Sequence, residues 1–339
     1  MADDLGIGIN VGYWGSRADD ATDTVVAAER LGYDSVWTAE AYGSDALTPL
    51  AWYGARTSAI GLGTAVAQMS ARTPTATAMH AMTLDHLTGG RVRLGIGASG
   101  PQVVEGWYGA PFPKPLARTR EYVDVMRQVW RRAGDVRNDG PHYPLPYPGG
   151  AGLGKPLRLI THPLRDRIPV YLGAEGPRNV ALAAEIADGW LPLFFHPERS
   201  PALYADALAA APAGFDIACT VTVIVTDDVA GALRLAKTPL AFYIGGMGAK
   251  SENFHLNVIS RMGFEEEAAK VQELFLSGRR DEAIDAVPND LADGLSLLGP
   301  IARISERLTL WRDSPVTTLL LAGIRDEPTL HTLRDLIRG

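Results

Sequence analysis

The sequence predicts an α/β fold, a (β/α)8 TIM barrel with insertions, and three observations carry that prediction. Short β-rich runs alternate with amphipathic segments, eight such runs follow one another, and each is apolar almost throughout. Continuous apolar strands are what a parallel sheet covered by helices requires, because both strand faces are buried. An open doubly wound sheet shares the alternation, but eight successive units favour closure. The 339 residues fit a fold that runs from roughly 200 to over 400.

In chain order the strands read Gly6–Asn10, Asp34–Trp37, Ile60–Ala67, Val92–Gly97, Pro169–Gly173, Trp190–Phe194, Ile217–Thr226 and Val316–Ala322. After the first, Ala21, Val25 and Ala28 recur at helical spacing and Gly32 stops the helix. Val123, Met126 and Trp130 form a second apolar stripe, and Ile301, Ile304, Leu308 and Trp311 a third. Two segments break the rhythm: about 134–167, dense in proline and glycine, and about 249–298, charged and with extra helix over Glu265–Ser277. Both read as insertions within a single domain over 1–339, and barrels carry functional insertions on the C-terminal rim of the strands.

Composition narrows the function. Hydrophobic residues make up 46% and no run of eighteen apolar residues occurs, so no transmembrane helix is expected. Thirty-two basic against 39 acidic residues give −7, which argues against nucleic acid or a membrane surface as partner. The acidic start Met1-Ala2-Asp3-Asp4 does not resemble a secretory signal. The one cysteine, Cys219, sits in an apolar run and reads as a packing thiol in a reducing cytoplasm. None of the seven histidines has metal-ligand spacing, so no metal is expected; His86 reads as a hydrogen-bonded core histidine.

Two strand ends run into glycine-rich turns that open helices: Gly97-Ala98-Ser99-Gly100 before Pro101, and Gly173-Ala174-Glu175-Gly176-Pro177-Arg178 before the helix Asn179–Ala187. Glycine lets backbone N–H groups approach a ligand, and a helix N-terminus favours an anion. Arg178 is poorly placed for the helix dipole and well placed for a phosphate. Neither turn has phosphate-loop or dinucleotide-fingerprint spacing. Either they are plain tight turns, or together they hold a phosphate-bearing cofactor. At other strand ends, Glu40 could accept a hydrogen bond or donate a proton, or form a rim salt bridge. Tyr13, Trp14 and Asn10 could line the pocket or pack beneath a loop. Lys114, Arg118 and Arg120 could meet an anionic tail or stand in solvent.

The stretch Gly97–Gly109, followed by Lys114–Tyr122, resembles the deazaflavin-dependent branch of the bacterial-luciferase-like superfamily; so do Leu84-Asp85-His86-Leu87-Thr88-Gly89-Gly90-Arg91 and Tyr243-Ile244-Gly245-Gly246-Met247-Gly248. The resemblance covers essentially the whole chain. It implies a luciferase-like (β/α)8 barrel, commonly a homodimer, that binds coenzyme F-420 and transfers hydride between the deazaflavin C5 and a small organic molecule. C=C, C=N or C=O reduction, or the reverse, would follow. It implies a cis peptide at the end of the third strand, here Ala65-Val66, supporting the ring. It aligns Glu40 with an acidic residue at the cofactor head, but Ala41 stands where many members have the histidine used as acid/base. It brings Trp190 beside the ring and the turn Glu175-Gly176-Pro177-Arg178 to the phosphate. Two rival readings share the fold: an FMN-dependent two-component monooxygenase and a non-catalytic flavin-binding barrel.

Overall fold

The computed structural model describes residues 5–247 and 253–339; Gly248 of the last motif, the start of the second expected insertion and Met1–Asp4 lie outside the described residues. The strands are β1 (Gly6–Gly12), β2 (Ser35–Thr38), β3 (Gly61–Thr64), β4 (Ala67–Gln68), β5 (Val92–Gly97), β6 (Val170–Gly173), β7 (Gly189–Leu191), β8 (Asp216–Val225), β9 (Ser296–Gly299) and β10 (Thr318–Ala322). They pair in parallel around the ring β10-β1-β2-β3-β5-β6-β7-β8, and β8 closes on β10 with Thr318 opposite Ala218. This is a closed eight-membered (β/α)8 barrel.

The third position differs from the single run read in the sequence. Its first half, β3, pairs with β5 at Leu62–Val92, and its second, β4, at Ala67–Ile96. Between them the Ala65-Val66 peptide is cis. A further strand, β9, lies inside the segment read as an insertion. It pairs with Thr222–Val225 of β8, on the side opposite β10, where β7 has already ended. Its residues Ser-Leu-Leu-Gly follow a helix at Asn289–Gly294 and carry no β-branched side chain, so nothing local marked them as strand.

Trp37, Tyr171, Leu191, Ala218 and Leu320 fill the barrel, with Ala65 and Val66 resting on them. The rings of Trp37 and Tyr171 meet edge to face at 5.2 Å. The outer core packs the helices on the strands, and Cys219 belongs to it; burial pushes its thiol pKa up, as expected of a packing residue. The second inserted segment holds the helix Glu265–Leu276 and packs Val258, Ile259, Val271 and Leu291 with the helix Val229–Gly245 in a core of its own. Among the described residues no helix is long and apolar enough to cross a membrane.

The Leu84–Arg91 motif works at the far end of the barrel from the strand C-termini. Asp85 accepts from Val92 N at 3.1 Å and from Arg165 at 2.7 and 2.9 Å. Arg91 donates to the carbonyls of Gly54, Thr57, Ile60 and Thr88. His86 is not a core residue: it is exposed and holds the His162 carbonyl at 2.9 Å. Arg91→Ala frees four carbonyls at once; we expect a loss of about 3 kcal/mol and a fall in Tm of about 4 °C, with Arg91→Lys nearly as damaging because one ammonium cannot span the four. Thermal melting of both variants checks this.

Candidate active site at the barrel mouth

Val66 is the centre of the mouth. A Cβ at Gly97 would lie 2.7 Å from one Val66 methyl, and a Cβ at Gly173 would lie 2.8 Å from the other. Any side chain at either glycine would displace Val66. The two glycines are register partners on β5 and β6, so they form one flat shelf. Ala65 and Val66 are both half-buried, with an apolar surface turned out of the barrel.

The loop after β2 fastens this shelf. Glu40 N–H donates to Val66 O at 3.1 Å, and Ala65 N–H donates to Thr38 O at 2.6 Å. The Glu40 carboxylate, 7% exposed, accepts from Gln68 N at 2.8 Å and from both Arg72 terminal nitrogens at 2.8 and 2.7 Å. That hydrogen bond to Glu40 is the main reason the Arg72 pKa rises. All of this ties Glu40 to the bulge as a brace rather than leaving a carboxylate free to move a proton. Nothing local in the sequence pointed to Arg72, 32 residues away.

The second turn builds an anion site. Gly176 has φ +79° and caps the helix Pro177–Ile186, whose first turn carries exposed Arg178. Arg261, from the second inserted segment, reaches over it: its guanidinium nitrogen would lie 3.2 Å from a Cβ at Gly176. Neither arginine forms an ion pair among the described residues. Arg261 was not foreseen. Of the cations expected to meet an anionic tail, Arg118 is spent on the Pro111 carbonyl and on Tyr143, and Arg120 on Glu185 at 2.6 Å. On the other turn Ser99 has φ +59°, and Ala98, Ser99 and Gly100 are half-buried beside the shelf.

Trp190 does not reach the mouth. It is 1% exposed, packs on Tyr204 at 4.9 Å and donates to Ala174 O at 2.9 Å. Its part is to fix the backbone just before Glu175. Tyr13, 44% exposed, lies over the loop after β2; partial burial and neighbouring Tyr42 raise its hydroxyl pKa. Asn10 donates to Thr220 Oγ1 at 2.9 Å, linking β1 to β8 past the intervening β10. Glu175, expected at the phosphate, pairs with His255 at 2.9 Å. Among the described residues no group of three or more histidine, cysteine or carboxylate side chains could hold a metal.

A family model for luciferase-like monooxygenases matches residues 7–318. The chain belongs to the luciferase-like family. Within it, a Mycobacterium tuberculosis protein provisionally named coenzyme F420-dependent oxidoreductase is 52% identical, over 94% of each chain. The 5,10-methylenetetrahydromethanopterin reductase of Archaeoglobus fulgidus is 29% identical over 87% of each. The solved coenzyme F420-dependent tetrahydromethanopterin reductase of Methanopyrus kandleri superposes with a TM-score of 0.79 at 22% identity, covering 98% of both chains, a likeness of fold. The residues matched by the family model include the bulge and both glycine turns of this chain.

Glu40→Ala leaves the half-buried Arg72 with only Asp45, at 3.9 Å, for a partner, and we expect a loss of about 2–3 kcal/mol, of which the double variant Glu40→Ala/Arg72→Ala recovers at least about half. Denaturant unfolding of the two single variants and the double checks it.

Proposed function

We propose that this chain is a coenzyme F-420-dependent oxidoreductase that transfers hydride between the deazaflavin and a small organic substrate with a C=C, C=N or C=O acceptor, or in the reverse direction. One observation carries the reading: an apolar shelf without side chains on its two glycines lies next to a glycine turn flanked by two arginines that form no ion pair among the described residues. A flat ring with a phosphate-bearing tail fits that pair of features. The choice of F-420 over FMN rests on the relative at 52% identity.

In this reading Ala65, Val66, Gly97 and Gly173 hold the ring, with Ala98, Ser99 and Gly100 along its edge. Gly176, Pro177 and Arg178, with Arg261, hold the phosphate. When bound, the deazaflavin supplies a hydride acceptor or donor at C5. The protein contributes orientation and exclusion of water. Glu40 positions the shelf, while Tyr13 and its neighbours Tyr42 and Trp107 border the substrate. The family name favours a second reading, a monooxygenase using reduced FMN.

Quenching titrations with F-420, FMN and NADPH in parallel separate the two readings: F-420 is expected to bind at least about tenfold tighter than either rival, and tighter FMN binding would refute the proposal. Arg178→Ala and Arg261→Ala are each expected to weaken F-420 by about tenfold, more at low salt, while leaving the tail-less deazaflavin unaffected.

We further propose that the protein is a cytoplasmic homodimer. A buried free thiol suits a reducing compartment. For the dimer, Met79, Leu87, Leu153, Leu157, Ile160 and Leu164 are more than half exposed, and His86 and Gly90 place the two segments that carry them side by side. Leu87→Asp/Ile160→Asp is expected to halve the mass in light scattering; an unchanged mass would place any interface elsewhere.

A further inference from the structure

His255 forms the only histidine–carboxylate pair at a strand-end turn among the described residues; the other two, His142–Glu121 and His331–Asp335, lie against outer helices. His255 Nδ1 is 3.0 and 2.9 Å from the two Glu175 oxygens, and its side chain is 20% exposed. Tyr243 packs edge-on against the ring at 4.9 Å and Phe194 at 5.9 Å. Nε2 has no partner among the described residues.

The pair stands at the mouth. Gly173 touches Val66, and Glu175 follows two residues later, at most about 7 Å of chain. Tyr243 ties the far side to the same space: its hydroxyl is pushed up to about 12, by burial first and then by Tyr13, Glu175 and Tyr42. On the β2 side Glu40 is closed on Arg72 and Gln68, and Asp45 on the Leu47 and Thr48 amides. Tyr13, with its raised hydroxyl pKa, is a reluctant donor at neutral pH.

We propose that His255 exchanges the proton that accompanies hydride transfer, with Nε2 facing the substrate, and that Glu175 is a positioning residue that holds the ring through Nδ1. The proposal rests on the function proposed above. In the reducing direction the Nε2–H bond of the imidazolium breaks. Its proton goes to the atom left with the electron pair after hydride addition, and the ring is left neutral with Nδ1–H on Glu175. The substrate gains one hydride and one proton. Water returns a proton to the ring and takes up the one released when the reduced cofactor is oxidised, so no further reactant enters. Among the described residues the titratable groups in contact with the ring are Glu175 and Tyr243, and the nearest cation placed by the Glu175 turn is Arg261, beside Gly176. Donation in the reducing direction requires the Nε2–H bond, so the ring must carry its second proton when hydride is delivered.

The test uses His255→Asn and Glu175→Gln. The His255 resonance, assigned by its loss in H255N, is expected to move in the NMR spectrum when oxidised F-420 saturates the wild type. E175Q, which weakens the hold on Nδ1, is expected to lower kcat by about tenfold while F-420 affinity stays within about twofold. With reduced F-420 and 2-cyclohexen-1-one, H255N is expected to lose about 10²–10⁴ in kcat, together with the fall in rate at high pH. F-420 affinity should stay within about twofold, separating lost chemistry from a lost fold. An unmoved resonance at F-420 saturation, or an H255N variant with the wild-type rate and pH profile, overturns the assignment and leaves the F-420 reading standing. A wild type that does not quench F-420 fluorescence overturns that reading itself. If the enone is not turned over, the NMR arm decides alone.

Discussion

Val66 occupies a place in the barrel mouth that exists only because of a register. Parallel pairing sets Gly97 opposite Gly173, and the absence of both side chains opens a slot the width of an isopropyl group. A slip of β5 against β6 by one residue would put a side chain into that slot. Below, Trp37 and Tyr171 fill the barrel, so Val66 has no space to sink into. Above, Glu40 holds the Val66 carbonyl, and its carboxylate holds the Gln68 amide, so the bulge is gripped on both sides of the break. The shape presented to a ligand is therefore set by backbone positions and close packing, which move little.

The buried pair of Glu40 and Arg72 makes that grip specific. Burying two charges gains little net stability, because their desolvation offsets most of their attraction. It does fix geometry: a bidentate carboxylate–guanidinium contact tolerates little rotation, and here it links the exit of β2 to the turn after β4. A carboxylate used in this way is a poor candidate for moving protons, which leaves acid–base work to groups at the other side of the opening.

The sequence made the barrel legible because strands buried on both faces appear as unbroken apolar runs, and all eight ring positions carry one. The same uniformity hid which face each residue takes. Trp190 reads equally well inside or outside, and only the fold turns it outward onto Tyr204. The short strand β9 escaped because Leu-Leu after a helix continues helical hydropathy. The break at Ala65-Val66 came from family resemblance, since Ile60–Ala67 has no interruption in hydropathy. Arg72, Arg261 and His255 were illegible for another reason: each is one residue on a separate element, and its partner lies far off in sequence, 80 positions in the case of His255 and Glu175. No local period encodes such a meeting.

The charge around the opening is uneven in a way the net value conceals. The protein carries −7, yet the side of the mouth at β6 exposes Arg178 and Arg261 at a helix N-terminus, while at β2 the buried Glu40 carboxylate is paired with Arg72, which Asp45 also approaches. Local fields, focused by nearby low-dielectric walls, guide a ligand at these distances, and the summed charge is screened within about 10 Å. In the proposed reading an elongated ligand with an anionic end would be oriented before it is held, its tail toward Gly176 and its uncharged ring toward Val66. The turn from Gly173 to Gly176 spans both contacts and carries Glu175 between them. In the same reading that short segment would set ring, anion and the His255 imidazole against each other by a single stretch of backbone, and Trp190 fixes it from behind through the Ala174 carbonyl.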